Sequence, residues 1–182
     1  MIYITGFMGA GKTTTGLSLS KVWHKKVYDS DLFIKEEQKQ SIPSIFSEYG
    51  ETFFRTAETE ILKRLSLLDE PSIVTIGGGS IIKKQNRALM RSNGIIIFLY
   101  CDIAVIHERL RNDSTRPLVQ KNQEKKLDDM YQQRLDAYLD ADFIINVSGK
   151  SVQTIVCEIT SLMYQTAQNG NPMSKKTRRH PR

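Results

Sequence analysis

Gly6-Phe7-Met8-Gly9-Ala10-Gly11-Lys12-Thr13 stands directly behind the apolar run Met1-Ile2-Tyr3-Ile4 and fits the phosphate-binding loop pattern G-x-x-x-x-G-K-[ST]. The pattern is short, so its context decides the reading: a strand precedes it, and Thr13 to Trp23 is a helix-forming stretch. Gly6, Gly9 and Gly11 permit backbone torsions closed to residues with a Cβ, so successive N-H groups can form a concave anion site where the helix begins. Lys12 supplies a mobile point charge for the β- and γ-phosphates, and the Thr13 hydroxyl is placed to ligate a Mg²⁺ that bridges them. The bland alternative is a glycine-rich turn between a strand and a helix.

Around this loop the chain reads as one α/β domain. Its 182 residues are 40 % hydrophobic and 25 % charged, ordinary values for a globular protein with a substantial core. The longest apolar run, Ile95 to Cys101, is far too short to cross a bilayer, and a secretory address is not expected. Cys101 and Cys157 lack metal-like spacing and are expected to be buried, reduced small hydrophobes. His24, His107 and His180 form no ligand pair. Of the net charge of +6, Lys175, Lys176, Arg178, Arg179 and Arg182 carry five, which leaves the folded part nearly neutral. A single domain over residues 1–165 and a basic, disordered tail over 166–182 are expected, with nucleic-acid binding by that tail disfavoured for want of interleaved aromatics.

Beyond the loop, Val27-Tyr28 reads as a short strand followed by Asp29-Ser30-Asp31, then a helix over Leu32 to Gln40. An Asp in this position can be an N-cap, or two carboxylates at i, i+2 can face the mouth of the phosphate loop. Ser41 to Tyr49 is a second helical piece, and Glu51 to Leu68 a long helix with the stripe Phe54, Ala57, Ile61, Leu62, Leu65 and Leu68. Glu58 falls inside that stripe and Arg55 at its edge, so either a structural ion pair forms there or Glu58 fixes Arg55 for an anionic substrate. Ser72 to Ile76 is a β-rich run ended by Gly77-Gly78-Gly79, either a tight turn or a close backbone approach to a ligand.

A helix near Lys84 to Ser92 precedes the strand Ile95 to Tyr100, whose unbroken apolarity expects cover on both faces. The stripe Ile103, Ile106 and Leu110 of the next helix excludes Arg109, which is therefore exposed or functional. From Asn112 to Gln123 periodicity vanishes, and Arg116 is held extended by Pro117: a surface loop, or a mobile lid that carries a cation to a transferring phosphoryl group. Glu124 to Asp140 has Leu127, Met130, Tyr131, Leu135 and Tyr138 on one side, with Arg134 in mid-stripe, where a guanidinium needs an anion to meet it. A last strand over Phe143 to Val147 and an amphipathic helix from Val152 to Met163 complete a strand-helix alternation that predicts a parallel sheet between two helical layers.

In order along the chain, Gly6 to Thr14, Asp29-Ser30-Asp31, Gly50-Glu51-Thr52-Phe53-Phe54-Arg55-Thr56-Ala57-Glu58, Gly77 to Gly79, Thr115-Arg116-Pro117-Leu118, and Arg134 to Tyr138 with Ala141-Asp142 resemble the motif series of the shikimate kinases. The resemblance covers about residues 1–150. It implies a three-layer αβα P-loop kinase fold with five parallel strands in order 2-3-1-4-5 and a mobile lid over about 112–123. It also implies a cytoplasmic, monomeric ATP- and Mg²⁺-dependent kinase that phosphorylates the 3-hydroxyl of shikimate in aromatic amino-acid biosynthesis. By that resemblance Gly9, Ala10, Gly11, Lys12, Thr13, Thr14, Arg109 and Arg116 would bind the nucleotide, Ser148 to Lys150 would lie near its adenine, and Thr13 with Asp29 would serve the metal. Lys12 and Arg116 would neutralise the γ-phosphoryl, and Asp31 would orient or deprotonate the attacking hydroxyl. Arg55 and Arg134 would clamp the substrate carboxylate, Glu58 would support Arg55, and Gly78 and Gly79 would face the ring. Two departures stand out: Asn112-Asp113-Ser114 leaves the lid short of basic residues, and the tail matches nothing in the family. Another small-molecule kinase of the same fold, such as a gluconate kinase, or a nucleotide- or nucleic-acid-binding regulator that uses the tail, are the competing readings.

Overall fold

The computed structural model describes residues 1–111 and 124–168. β1 (Ile2–Thr5) is the middle strand of five, paired in parallel with β3 (Ile73–Thr75) on one side and β4 (Ile95–Tyr100) on the other. β2 (Val27–Asp29) and β5 (Phe143–Asn146) form the edges, so the order is β2-β3-β1-β4-β5, as the resemblance implied. Register places Ile4 between Thr75 and Ile97, which brings the carboxyl ends of β1 and β3 to one rim. Tyr3, Ile4, Val74, Ile96, Ile97 and Phe98 are fully buried, as strands covered on both faces require.

α1 (Lys12–Trp23) packs against α7 (Val152–Gln168), while α3 (Ile42–Ser66) packs against α4 (Lys84–Asn93), which gives the two helical layers. α2 (Ser30–Gln38) lies on α3, and α5 (Ile103–Arg111) and α6 (Glu124–Leu139) flank residues 112–123. Gly50, at φ 78° and ψ 174°, breaks α3 into the two helical pieces read from the sequence, a conformation that suits a residue without Cβ.

Four expectations are corrected. Cys101 is buried, but Cys157 is exposed, because it lies nearly opposite the Ile155-Ile159 stripe of α7. Leu68 is 37 % exposed, since α3 stops at Ser66 and Leu68 no longer follows the helical stripe. α2 starts at Ser30, so Asp31 belongs to its first turn and Asp29 is the N-cap. α7 also continues to Gln168, past the residue-165 boundary assigned to the tail.

Candidate active site

The phosphate loop connects β1 to α1 with Gly9 at φ 79° and Gly11 at φ 88°, and Gly11 is the left-handed N-cap of α1. No side chain caps that helix and its first turn holds no acid, so its leading N-H groups are presented without a competing carboxylate. Two cations bridge the loop's carbonyls: Lys12 Nζ donates to Phe7 O at 3.1 Å, and Arg109 Nη1 donates to Gly9 O at 2.9 Å. Arg109, left undecided by periodicity, thus reaches from α5 onto the loop. Ala10 is buried in it, and Thr14 is exposed on the first turn of α1. On the same side of the sheet, Ser148 Oγ accepts from Asp102 N at 2.9 Å at the start of α5, while Lys150 Nζ is paired with Glu158 at 2.6 Å.

Asp29 is saturated with donors. Its Oδ1 accepts from Asp31 N at 3.0 Å and Leu32 N at 3.2 Å, and its Oδ2 accepts from Thr13 Oγ1 at 3.1 Å and Thr75 Oγ1 at 2.9 Å. Asp29 is thus the N-cap of α2 and at the same time in contact with Thr13 of the phosphate loop. A hydroxyl and a carboxylate side by side at the mouth of the loop are hard oxygen donors suited to Mg²⁺. Among the described residues no cluster of three or more acidic, His or Cys side chains competes for a metal. This sparse set fits an ion that completes its shell with water and phosphate oxygens.

Asp31 is placed differently from Asp29. Its Oδ1 is buried with no hydrogen-bond partner, and it lies against Gly77, where a Cβ would collide with it. Burial, reinforced by the neighbouring Asp29 charge, pushes its carboxyl up to about 6, with Lys12 pulling the other way and Glu58 adding to the rise. Lys12 of the phosphate loop and Glu58 of α3 thus both act on this carboxyl.

Glu58 is 1 % exposed and paired twice: Arg55 Nη1 donates to its Oε2 at 2.7 Å, and Ser80 Oγ to its Oε1 at 2.6 Å. The inward carboxylate of the α3 stripe therefore has the partners its burial demands. Arg55 lies flat against Gly79, where any Cβ would meet the guanidinium, and its Cζ is 5.6 Å from the centre of the Phe54 ring. Burial draws the Arg55 pKa down, but Glu58 and Glu51 together hold it above the ordinary value.

Each glycine of the triplet leaves room for a neighbour. Gly77 gives space to Asp31 and its N-H donates to buried Ser30 Oγ at 3.0 Å, a Cβ at Gly78 would come within 3.0 Å of Tyr138 Oη, which donates to Gly78 O, and Gly79 gives space to Arg55.

Arg134 projects from α6 with its Cζ 5.9 Å from the centre of the Phe7 ring, a residue of the phosphate loop itself. Among the described residues no carboxylate pairs with it. Burial pushes the Tyr138 phenol up to about 12, with Arg134 and Arg55 both drawing it back, so the two guanidinium groups share one neighbourhood. Arg116 and the 112–123 segment lie outside the described residues.

Sequence reading missed Ser30, Ser80 and Glu51 as parts of this constellation. Ser80 directly follows the glycine triplet and Glu51 lies one helical turn before Arg55, which are the signals that could have found them. Ser30 was visible only as the middle residue of the D-x-D.

With this geometry in place, comparison with known proteins is informative. Residues 8–164 match the family described as shikimate kinase. The chain is 46 % identical over 158 residues to the shikimate kinase of Bacillus mycoides, spanning 87 % of this chain and 94 % of that protein. Among solved structures, the shikimate kinase of Acinetobacter baumannii in complex with shikimate is 33 % identical with a TM-score of 0.84, covering 91 % of this chain and 93 % of that one. The shikimate kinase of Aquifex aeolicus is 31 % identical with a TM-score of 0.79, covering 93 % and 99 %. The chain belongs to the shikimate kinase family, ATP-dependent phosphotransferases that act on a hydroxyl of shikimate.

Proposed function

We propose that this site transfers the γ-phosphoryl of ATP to the 3-hydroxyl of shikimate, giving shikimate 3-phosphate and ADP, with the following division of labour. The N-H groups of Gly9 to Thr14 cradle the phosphates, and Arg109 braces the loop through Gly9 and lies on the adenine side. Thr13 and Asp29 would hold Mg²⁺, which would supply positive charge to offset that of the phosphates. Arg55 and Arg134 bind the substrate carboxylate, Glu58 keeps Arg55 in place, and the backbone of Gly78 and Gly79 borders the ring.

Asp31 takes the hydroxyl proton as the oxygen-phosphorus bond forms and the bond from phosphorus to the leaving ADP oxygen breaks. Lys12 and Arg116 neutralise charge on the transferred group. The observation that carries this reading is the position of Asp31, an unpartnered buried carboxylate oxygen within the fields of both Lys12 and Glu58. A base between donor loop and acceptor clamp is where in-line transfer needs one.

The chain through Gln168, where α7 closes the expected domain, acts as a single kinase domain, and the basic tail takes no part in turnover. The protein works as a cytoplasmic monomer without nucleic acid. Among the described residues no helix is long and apolar enough to cross a membrane. Coupled ADP release with shikimate, gluconate and nucleoside monophosphates tests the reading: turnover with shikimate alone is expected, and its absence overturns the assignment.

A further inference from the structure

Arg55 is held by two carboxylates of very different character. Glu58 is buried, fixed on its far side by Ser80, and takes Nη1. Glu51 is 65 % exposed, stands one turn earlier on α3, and takes both Nε, at 3.1 Å, and Nη2, at 2.9 Å, on the single oxygen Oε1. That is a poor match to a guanidinium, whose edge is shaped for two parallel bonds to two oxygens. An open cleft of about 400 Å³ is lined by Glu51, Thr52, Arg55, Ile82 and Lys83, so the Glu51-Arg55 pair borders solvent.

We propose that Glu51 is a placeholder: in the substrate-free protein it occupies the guanidinium edge of Arg55 that the substrate carboxylate takes over, and it therefore sets substrate affinity by competition. The inference rests on Arg55 as a carboxylate-binding residue. A planar carboxylate that presents two oxygens forms the parallel fork that Glu51 does not, so it can displace a single-oxygen contact. Glu58 cannot be the displaced group, because stripping its partner would leave a charge in the core. Glu51 swings into water at little cost, since exposed ion pairs are weak. An uncharged analogue of the substrate has no means of displacing Glu51, so the device also favours acids over neutral alcohols of the same shape.

Calorimetric titration with shikimate, without nucleotide, decides the matter on the wild-type chain, Glu51→Ala and Glu51→Gln. Removal of the competitor is expected to tighten binding about two- to fivefold, with the same gain in the KM for shikimate and none in that for ATP. In an Arg55→Ala background, Glu51→Ala should change nothing. If both Glu51 variants bind shikimate no tighter than wild type while wild type binds it, the placeholder role is wrong and the clamp stands. If wild type neither binds nor turns over shikimate, the clamp assignment itself falls.

Discussion

Ser80 Oγ donates to Glu58 Oε1 at 2.6 Å across a sequence separation of 22 residues, and both side chains are essentially excluded from solvent. Asn86 Nδ2 in turn donates to Ser80 O at 2.9 Å, so a buried relay runs from α4 through Ser80 and Glu58 to Arg55. Loss of one donor to a buried carboxylate costs about 1–3 kcal/mol. Ser80→Ala should therefore loosen Arg55 and raise the KM for shikimate about tenfold, while the KM for ATP, set by the phosphate loop, stays put. Steady-state kinetics with each substrate varied in turn separates the two, and equal rises in both constants would mean general damage to the fold.

Lys12 and Arg134 divide along the same line. Lys12 is tied to the loop through Phe7 O and serves charge that grows on the transferred group, so Lys12→Ala should lower kcat about 10²- to 10³-fold. Arg134 rests on the Phe7 ring, and a guanidinium-carboxylate bond is worth about 1.5–3 kcal/mol. Arg134→Ala should thus raise the KM for shikimate about ten- to hundredfold and leave kcat the less affected constant. Wild-type kinetics in either variant would contradict the role given to that residue.

Much of this was legible in the chain because periodicity reports burial. Glu58 within an apolar stripe and Arg134 in mid-stripe were conspicuous as charges where no charge is wanted, and the fold answers each with a contact, Arg55 on Glu58 and the Phe7 ring beside Arg134. The run Ile95 to Tyr100 announced a strand covered on both faces and is β4 to the residue. Periodicity is silent on contacts between side chains far apart in sequence. The hydrogen bond from Ser80 to Glu58, and the space that Gly79 leaves for Arg55, exist only once β3 and α3 are placed together. Cys157 is a different case, since the helical phase of α7 already put it opposite the apolar stripe, and cysteine's usual burial outweighed that signal. Arg116, read from its place before Pro117 and from the resemblance, lies outside the described residues.

Deletion of residues 169–182 should leave both KM values and kcat within about twofold of wild type, since every residue given a role in the proposed site precedes α7. Five of the chain's cationic residues go with that segment, so the same deletion tests any role for it as an anion-binding arm. A collapse of turnover in the truncated chain would move the tail into the active enzyme.

The pH dependence of kcat/KM should show an acid limb near pH 6, because burial and the neighbouring Asp29 raise the Asp31 carboxyl to about 6 and the proton acceptor works only when ionised. Below that value the rate should fall about tenfold per pH unit. Asp31→Asn should be slow at every pH and lack this limb. Persistence of the limb in the variant would assign it to another group.

The same shift has a consequence for stability with a definite sign. The native Asp31 carboxyl, at about 6, holds its proton more tightly than the ordinary Asp value of 3.8, so the unfolded chain ionises first and ionisation opposes folding. The cost is absent below about pH 4, grows as pH rises through the interval from 4 to 6, and is complete above it. At 1.36 kcal/mol per unit it reaches at most about 3 kcal/mol. Asp31→Asn should therefore unfold at higher urea concentration than wild type at pH 8, with the advantage shrinking as pH falls towards 4. The charge that the reaction needs is thus retained against the fold's preference, as a stability-activity trade-off requires. Equal urea midpoints for the two proteins at pH 8 would show that Asp31 is ionised without penalty and that its environment is more polar than the unpartnered Oδ1 indicates.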